Sequence, residues 1–471
     1  MTLSERTYAA SPSWLQHAFV SAYGWQWRRL RLGGEWSSAV HAFRQRDGFS
    51  RDQWRDFTVR RLREVLTAAA ERTPHYSQQW ARLGFTSARL ARFEPEDLPS
   101  LPILQKDDVR RAPRSLLVGG VPPPTARVYH TSGSTGTPIA VYATSAEMQR
   151  SMALREARSA GWAGVSFLGS RATFSGRPVV PRADSRGPFH RYNVFERQIY
   201  FSAFHLGPET VGQYVAALRR YRPDWLTGYA YSYYTLARLA RDQGLRCPSP
   251  KAIVTTSEKV TPAMRSTIED VFGCKVYEEY GTVEDVMFAS ECERGGLHVN
   301  PDAGFVEIVD DDGQPVDAGR PGRVICTGFL RDSQLFVRFA LGDEAAWAGR
   351  SCSCGRAMPL LQEVTGRIED AVIGPDGRQM VRFHGIFVDQ PHVSEGQIVQ
   401  ETLHDITVRI VPVPGFGPAD EAEIRRRVHA RLTTEVRVEV IGVPEIARTA
   451  SGKFQAVISK VARAAAPAAD A

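Results

Sequence analysis

The sequence predicts an α/β fold in two parts: a large multi-layer N-terminal domain over residues 1–365 and a small α/β (α+β) C-terminal domain over 366–471. Three observations predict it. The 471 residues exceed what one hydrophobic core usually supports. From about residue 125 to 365, short apolar runs with strand patterning alternate with amphipathic segments of helical spacing. After Gly366 the alternation restarts over roughly 100 residues, the size of an independent module.

Residues 1–100 read as a helical lead-in. Segment 14–27 carries Trp14, Phe19, Tyr23, Trp25 and Trp27 without a sustained basic face, so a helix packed on the body is expected rather than one lying on a membrane. Residues 50–92 set Trp54, Phe57, Val59, Leu62, Val65, Leu66 and Ala69 at helical spacing, and a proline-rich connector follows over 94–102. Further along, 126–130 and 139–144 look extended, 208–220 and 231–243 helical, and 252–256 a buried strand. Residues 316–328 read as a turn and a strand, and 336–339 as another short strand. In the last part, 407–413, 418–432 and 436–441 read as strand, helix and strand, and the Ala/Pro tail from 464 has no expected order. No internal repeat is present.

Apolar residues make up 43% of the chain, enough to fill these cores. No apolar run reaches about 18 residues and no charged-then-apolar leader pattern opens the chain, so the expectation is a soluble cytoplasmic protein without stable membrane insertion. The net charge of +7 is spread among interleaved acids, with no basic block or aromatic-basic ladder, which excludes nucleic acid as an expected partner. The basic residues are overwhelmingly arginine; the lysines are Lys106, Lys251, Lys259, Lys275, Lys453 and Lys460.

The run YHTSGSTGTP over 129–138 sits between two extended segments. Gly133 and Gly136 let consecutive N–H groups turn toward an anion, and Thr131, Ser132, Ser134, Thr135 and Thr137 add hydroxyl donors. Strand–loop–strand flanks and the lack of a Gly-Lys-Ser/Thr ending disfavour a Walker loop. Taken alone, the run fits an ordinary surface turn equally well.

Its partners lie far along the chain. RTASGKF over 448–454 puts Lys453 in a glycine-containing turn, YGTVE spans 280–284, VRFALGD ends at Asp343, and GRIED spans 366–370. Together these motifs resemble those of the acyl-adenylate-forming superfamily, over roughly residues 55–460. LPILQKDDVR, LTGYAYSYY and ASECERGGLHV bring the likeness closest to the phenylacetate-CoA ligase branch with its capsule-biosynthesis (CapK-like) relatives.

The resemblance implies a small C-terminal domain that is mobile, and a reaction in which a carboxylate attacks the α-phosphorus of ATP. It implies that residues 131–137 hold the terminal phosphates, that Glu284 ligates Mg²⁺ and that Asp343 binds ribose. It further implies that Arg367 contacts ribose or phosphate, that Ser257 and Glu258 line the adenine pocket, and that Tyr280 and Gly281 lie beside the nucleotide. Lys453 would bridge the carboxylate and phosphoryl oxygens, where a positioned point charge is worth most, and Asp370 would be the hinge. Val283 stands where the family usually has threonine, so Thr282 becomes the candidate hydroxyl, and no Arg-Gly run follows the hinge.

The implied enzyme is an AMP-forming ligase acting on an aryl or arylacetic acid, with coenzyme A as acceptor. An amine, a hydroxyl or a carrier-protein thiol is the rival acceptor, and a non-catalytic nucleotide-binding protein is a third reading. A monomer or homodimer is expected.

Six cysteines in a long chain of this kind argue against a disulfide framework. Cys352 and Cys354 in Cys-Ser-Cys-Gly, with Cys292 six residues before His298, offer a closed Cys₃His set for a structural zinc near the nucleotide site, with free thiols as the alternative because the spacing is not a standard zinc-finger pattern. Cys247, Cys274 and Cys326 read as core or surface residues.

Overall fold

The computed structural model describes residues 3–130, 139–175, 179–180, 186–258, 260, 262–365, 372–375, 379–380, 386–387, 390–447 and 457–461. Its lead-in is helical, as the spacing predicts. The helix Arg51–Arg72 opens at Ser50 with a reciprocal cap: Gln53 N donates to the Ser50 hydroxyl at 3.2 Å, and Ser50 N donates to the Gln53 side-chain oxygen at 2.9 Å. Trp54, Leu62, Val65, Leu66 and Ala69 are buried along one face, and Pro74 opens the next helix, Pro74–Arg82.

The body is one twelve-stranded mixed sheet. Its parallel block runs Val276–Gly281, Ala252–Thr256, Trp225–Tyr229, Arg171–Ser175 and Gln198–Ser202 in that spatial order. The helices Val211–Tyr221, Ala230–Asp242 and Pro262–Phe272 pack on it through Tyr214, Leu218, Tyr233 and Phe272. Trp225–Tyr229 is buried at every position, which explains its unbroken apolar look in sequence. At Gly228 the backbone has φ +125°, and an added Cβ would lie 1.9 Å from the Phe174 carbonyl oxygen, so only glycine fits there.

Beyond Val276–Gly281 the sheet turns antiparallel, through Phe288–Glu291, Leu297–Val299, Leu360–Thr365, Phe339–Trp347, Gly322–Gly328 and Gly304–Val309. At the opposite edge His190–Asn193 pairs antiparallel with Gln198–Ser202, and the helix Ser13–Leu32 lies against it, so the expected packing of the N-terminal aromatic segment onto the body holds. Arg127–His130 and Ala140–Ala143 form a separate antiparallel pair, giving the strand–loop–strand order expected around 131–137.

A four-stranded sheet of Val393–Gln400, Asp405–Pro412, Arg437–Gly442 and Val457–Ser459 carries the helix Pro418–Arg431 over its own core of Ile398, Val408, Ile410, Ile424 and Val428. The expected boundary at Gly366 falls outside the described residues, as does the tail from 464.

One expectation fails. Residues 336–338 are not strand; the strand begins at Phe339. Phe336 and Val337 are buried, which gave them strand-like patterning. The Val337 and Arg338 N–H groups, however, donate to the side-chain hydroxyls of Tyr76 and Thr327 at 2.9 and 3.1 Å rather than to the backbone carbonyls of a neighbouring strand. Arg338 takes φ +45° and turns its buried guanidinium onto both carboxylate oxygens of Glu307, at 3.1 and 2.9 Å.

Candidate active site

The crevice beyond the carboxyl ends of parallel strands is where an open α/β sheet binds ligands. Two adjacent strands end there with predicted residues. Ala252–Thr256 leads into Ser257 and Glu258, and Val276–Gly281 carries Tyr280 and Gly281; the register places Thr256 opposite Glu279. Ser257 is exposed and held at φ +71°, a conformation that a serine adopts only under local constraint. At Gly281 an added Cβ would meet the Phe288 ring at 2.8 Å, so the glycine lets the neighbouring strand close on this end.

The next four residues make a tight turn in which Asp285 N donates to the Thr282 carbonyl at 3.2 Å. Arg331, buried, organises this turn. It donates to the carbonyls of Glu284 at 2.6 Å, Val283 at 2.8 Å and Tyr142 at 2.8 Å, and to the Asp285 carboxylate at 3.0 Å. Tyr142 belongs to the strand that follows residues 131–138. Arg331 thus clamps the Glu284 turn to the backbone leaving the glycine-rich run.

Glu147 does the same from the helix Ser145–Arg155, accepting from Thr144 N at 2.7 Å, from Asp332 N and Ser333 N at 2.8 Å each, and from the Ser333 hydroxyl at 2.9 Å. Its burial opposes ionisation, but these hydrogen bonds outweigh it and hold the carboxyl below the usual range. Sequence reasoning missed both Arg331, which no local motif marks, and Glu147. The Thr-x-x-Glu spacing at 144–147, a capping box, was the available signal for the second.

Glu284 is 5% exposed. Burial pushes its pKa above the ordinary carboxylate value, opposed chiefly by the positive charge of Lys106 and then by Arg331. Lys106, one of the six lysines, therefore faces the site from the helix Lys106–Arg111, a placement not read from its motif. Val283 is 41% exposed, an apolar side chain presented to solvent in the middle of this turn.

Asp343 enters from Phe339–Trp347, behind Gly342 at φ +76°. The Tyr280 hydroxyl donates to its Oδ2 at 2.7 Å. The structure therefore brings Tyr280, Gly281, Thr282, Glu284 and Asp343 together, with Ser257 and Glu258 on the adjacent strand end. Thr131, Ser132, Gly133, Ser134, Thr135, Gly136, Thr137, Arg367, Asp370 and Lys453 lie outside the described residues.

The predicted thiol set also assembles. Ligand atoms of Cys292, His298, Cys352 and Cys354 all lie within 4.8 Å of one another. Cys292 Sγ is 3.6 Å from Cys352 Sγ, and Cys354 Sγ is 3.3 Å from His298 Nε2. A tetrahedral zinc with Zn–S about 2.3 Å and Zn–N about 2.0 Å needs edges of about 3.8 and 3.5 Å, so the donor set fits that ion with small adjustment.

Arg294 N and Gly296 N each donate to Cys292 Sγ at 3.4 Å, and His298 Nδ1 meets the Met358 carbonyl at 3.3 Å, the kind of partner that orients a metal-bound imidazole. The set's expected place beside the nucleotide site is corrected. Gly281 pairs with Phe288, and the strand Phe288–Glu291 runs back antiparallel, so Cys292 lies about 13 Å away at the other end of the sheet. Cys247, Cys274 and Cys326 stand apart from the set as free thiols, with Cys326 buried and the other two half-buried.

A mixed sheet with this crevice, followed by a small α/β unit, is a fold that solved acyl-CoA ligase structures share. Residues 373–460 match the family model described as the CapK C-terminal domain. The chain is 28% identical over 248 residues to Protein CapK of Staphylococcus aureus, covering 52% of this chain and 53% of CapK, about half the length of that relative. It is 26% identical over 436 residues to a phenylacetate-coenzyme A ligase of Thermus thermophilus, covering 88% of this chain and 89% of the relative. Among solved structures, a 2-hydroxyisobutyryl-CoA ligase in complex with 2-HIB-AMP and CoA superposes with TM-score 0.58 at 23% identity, covering 89% of this chain and 93% of that one, which shows the shared fold. The chain is thus similar to phenylacetate-CoA ligases along most of its length and to CapK over about half of it.

Proposed function

We propose that this protein activates a carboxylic acid, aryl or arylacetic, with ATP, forming an acyl-adenylate and pyrophosphate, and then passes the acyl group to coenzyme A. The observation that carries the proposal is the convergence of Tyr280, Glu284 and Asp343 at the carboxyl end of the sheet, clamped by Arg331 to the strand leaving the glycine-rich run. The names of the relatives support the reaction class: ligases of phenylacetate with coenzyme A are similar along most of the chain.

In this reading Thr131 to Thr137 hold the terminal phosphates, Ser257 and Glu258 face the adenine, and Asp343, oriented by Tyr280, takes the ribose hydroxyls. Glu284 would hold Mg²⁺, which neutralises phosphate charge when bound; its raised pKa fits a carboxyl that an incoming divalent cation converts to the charged form. Lys453 delivers its ammonium to the reacting oxygens. Residues 1–365 and 366–471 act as two units, and rotation about Asp370 withdraws Lys453 before acyl transfer.

The test is carboxylate-dependent exchange of pyrophosphate into ATP across a panel of aryl, arylacetic and short aliphatic acids, followed by thioester formation with coenzyme A. Exchange with an aromatic acid and a matching thioester are expected. ATP binding with no exchange for any acid would overturn the proposal.

A second reading concerns the acceptor alone. No Arg-Gly run follows residue 370, a departure from the coenzyme A ligase pattern that favours an amine, hydroxyl or carrier-protein thiol. Exchange without thioester formation, with product formed on such an acceptor, would select it.

A further inference from the structure

The helix Ser13–Leu32 is built inside out. Surface helices of soluble proteins bury their apolar stripe and expose the polar one. Here Gln16, Ser21 and Gly24 are buried together with Trp27, while Trp14, Phe19, Tyr23 and Trp25 are 69, 39, 49 and 49% exposed.

The inward polar residues have a clear task. His190–Asn193 is an edge strand whose outer backbone groups need partners. Tyr192 N donates to His17 Nδ1 at 2.8 Å, the Ser21 hydroxyl donates to the Tyr192 carbonyl at 3.3 Å, and Val194 N donates back to Ser21 Oγ at 3.2 Å. Gln16 accepts from Arg191 Nε at 2.8 Å. Sealing the edge thus turns the polar residues inward and leaves these aromatics at the surface, Trp14 and Trp25 along one flank of the exposed side and Phe19 and Tyr23 along the other.

That face continues onto the neighbouring turn. Val194 and Phe195 are 61 and 47% exposed, and the turn carrying them is anchored by Ser21 and by Arg28, which donates to the Phe195 carbonyl at 2.6 Å. Ser21 and Arg28 lie one helical turn before and after Trp25.

We propose that this aromatic face docks the protein on an anionic lipid surface. The charge pattern selects that occupant. Between Glu5 and Glu35 the chain contains no acidic residue but has Arg6, Arg28, Arg29 and Arg31. Arg29 caps the exposed Trp25 ring at 4.8 Å, setting a cation beside an amphipathic aromatic, the pairing suited to headgroup depth.

The area argues the same way. A twenty-residue helix is about 30 Å long, so one face offers about 300 Å². That is well under the roughly 800 Å² per partner of a standard protein interface. Partial immersion in a headgroup layer makes no such demand.

The test uses the full chain in flotation with vesicles of phosphatidylcholine alone and of phosphatidylcholine mixed with phosphatidylglycerol. The wild type is expected to float with the anionic vesicles, and less as salt rises. The combined Trp14→Ser, Phe19→Ser, Tyr23→Ser and Trp25→Ser variant, with unchanged circular dichroism and pyrophosphate exchange, is expected to lose about tenfold in partitioning, and Arg29→Glu part of that. Failure of the wild type to float, or equal flotation of the serine variant, would overturn the proposal. So would a wild-type dimer in sedimentation that the serine variant converts to monomer, since the face would then be a protein interface.

Discussion

Tyr280 and Asp343, 63 residues apart in sequence, meet through one hydrogen bond of 2.7 Å that joins the end of the last parallel strand to the antiparallel half of the sheet. A phenol donating to one carboxylate oxygen fixes the rotation of the group. Tyr280→Phe is expected to lose about 1 kcal/mol of nucleotide binding, roughly fivefold in the KM for ATP, with kcat nearly unchanged. Initial rates of pyrophosphate exchange against ATP concentration read this out. An unchanged KM would mean the bond only packs the sheet.

Glu284 pits stability against function. Its buried carboxyl has a pKa raised by burial, so the folded protein holds a proton there that the unfolded chain releases. Stability from this group is full below the ordinary glutamate value and is lost as pH rises through the raised one. Glu284→Gln removes that loss: the ligand-free variant is expected to melt a few degrees higher than wild type at pH 8. The gap should close near pH 4, and exchange activity should fall by at least about a hundredfold. A variant that melts lower at pH 8 would show that Lys106 and Arg331 stabilise the charge more than burial opposes it.

In the proposed cycle Lys453 and Asp370 separate the two half-reactions. Lys453→Met is expected to reduce adenylation by at least about a hundredfold while leaving thioester formation from supplied acyl-adenylate intact. Asp370→Pro should do the reverse, keeping pyrophosphate exchange and losing acyl transfer, because a fixed φ stops the backbone from absorbing the rotation. Equal loss of both activities in Asp370→Pro would remove the hinge.

The parallel half of the sheet was legible where a short apolar run is followed by an amphipathic helix, as at Ala252–Thr256 and Pro262–Phe272, and not at Arg171–Ser175, which another strand follows. Residues 336–338 were misread because burial alone gives strand-like patterning, and the partners that decide the matter, Tyr76 and Thr327, are hydroxyls remote in sequence or out of pattern. In the site, the motif residues Tyr280, Glu284 and Asp343 could be read from the sequence, whereas Arg331 and Glu147, which hold the turn between them, could not. Arg331 acts almost wholly on backbone carbonyls, so nothing in the side chains of Tyr142 or Val283 announces it. The N-terminal helix was placed correctly against the body. Its facing was invisible, because the edge strand that draws its polar side inward lies about 170 residues away.

The thiol set gives a prediction independent of the nucleotide site. Cys292 directly follows the strand Phe288–Glu291, His298 sits on its hairpin partner Leu297–Val299, and Cys352 and Cys354 lie on the loop before Leu360–Thr365; an added Cβ at Gly296 would fall 2.7 Å from Cys352 Sγ, so these segments are already drawn close. Zinc would close the loop between residues 298 and 352 with bonds made only in the folded state, and its binding energy would become folding energy. Protein purified without chelator is expected to carry about one equivalent of zinc by elemental analysis, and Cys354→Ser well under half of that. Chelation or Cys354→Ser should lower the melting temperature by several degrees. The KM for ATP of the surviving folded protein should stay the same, since Cys292 stands at the far end of its strand from Gly281. Wild type with less than about half an equivalent would show that the thiols are free. A KM that rises on zinc loss would show that the staple reaches the crevice through the sheet.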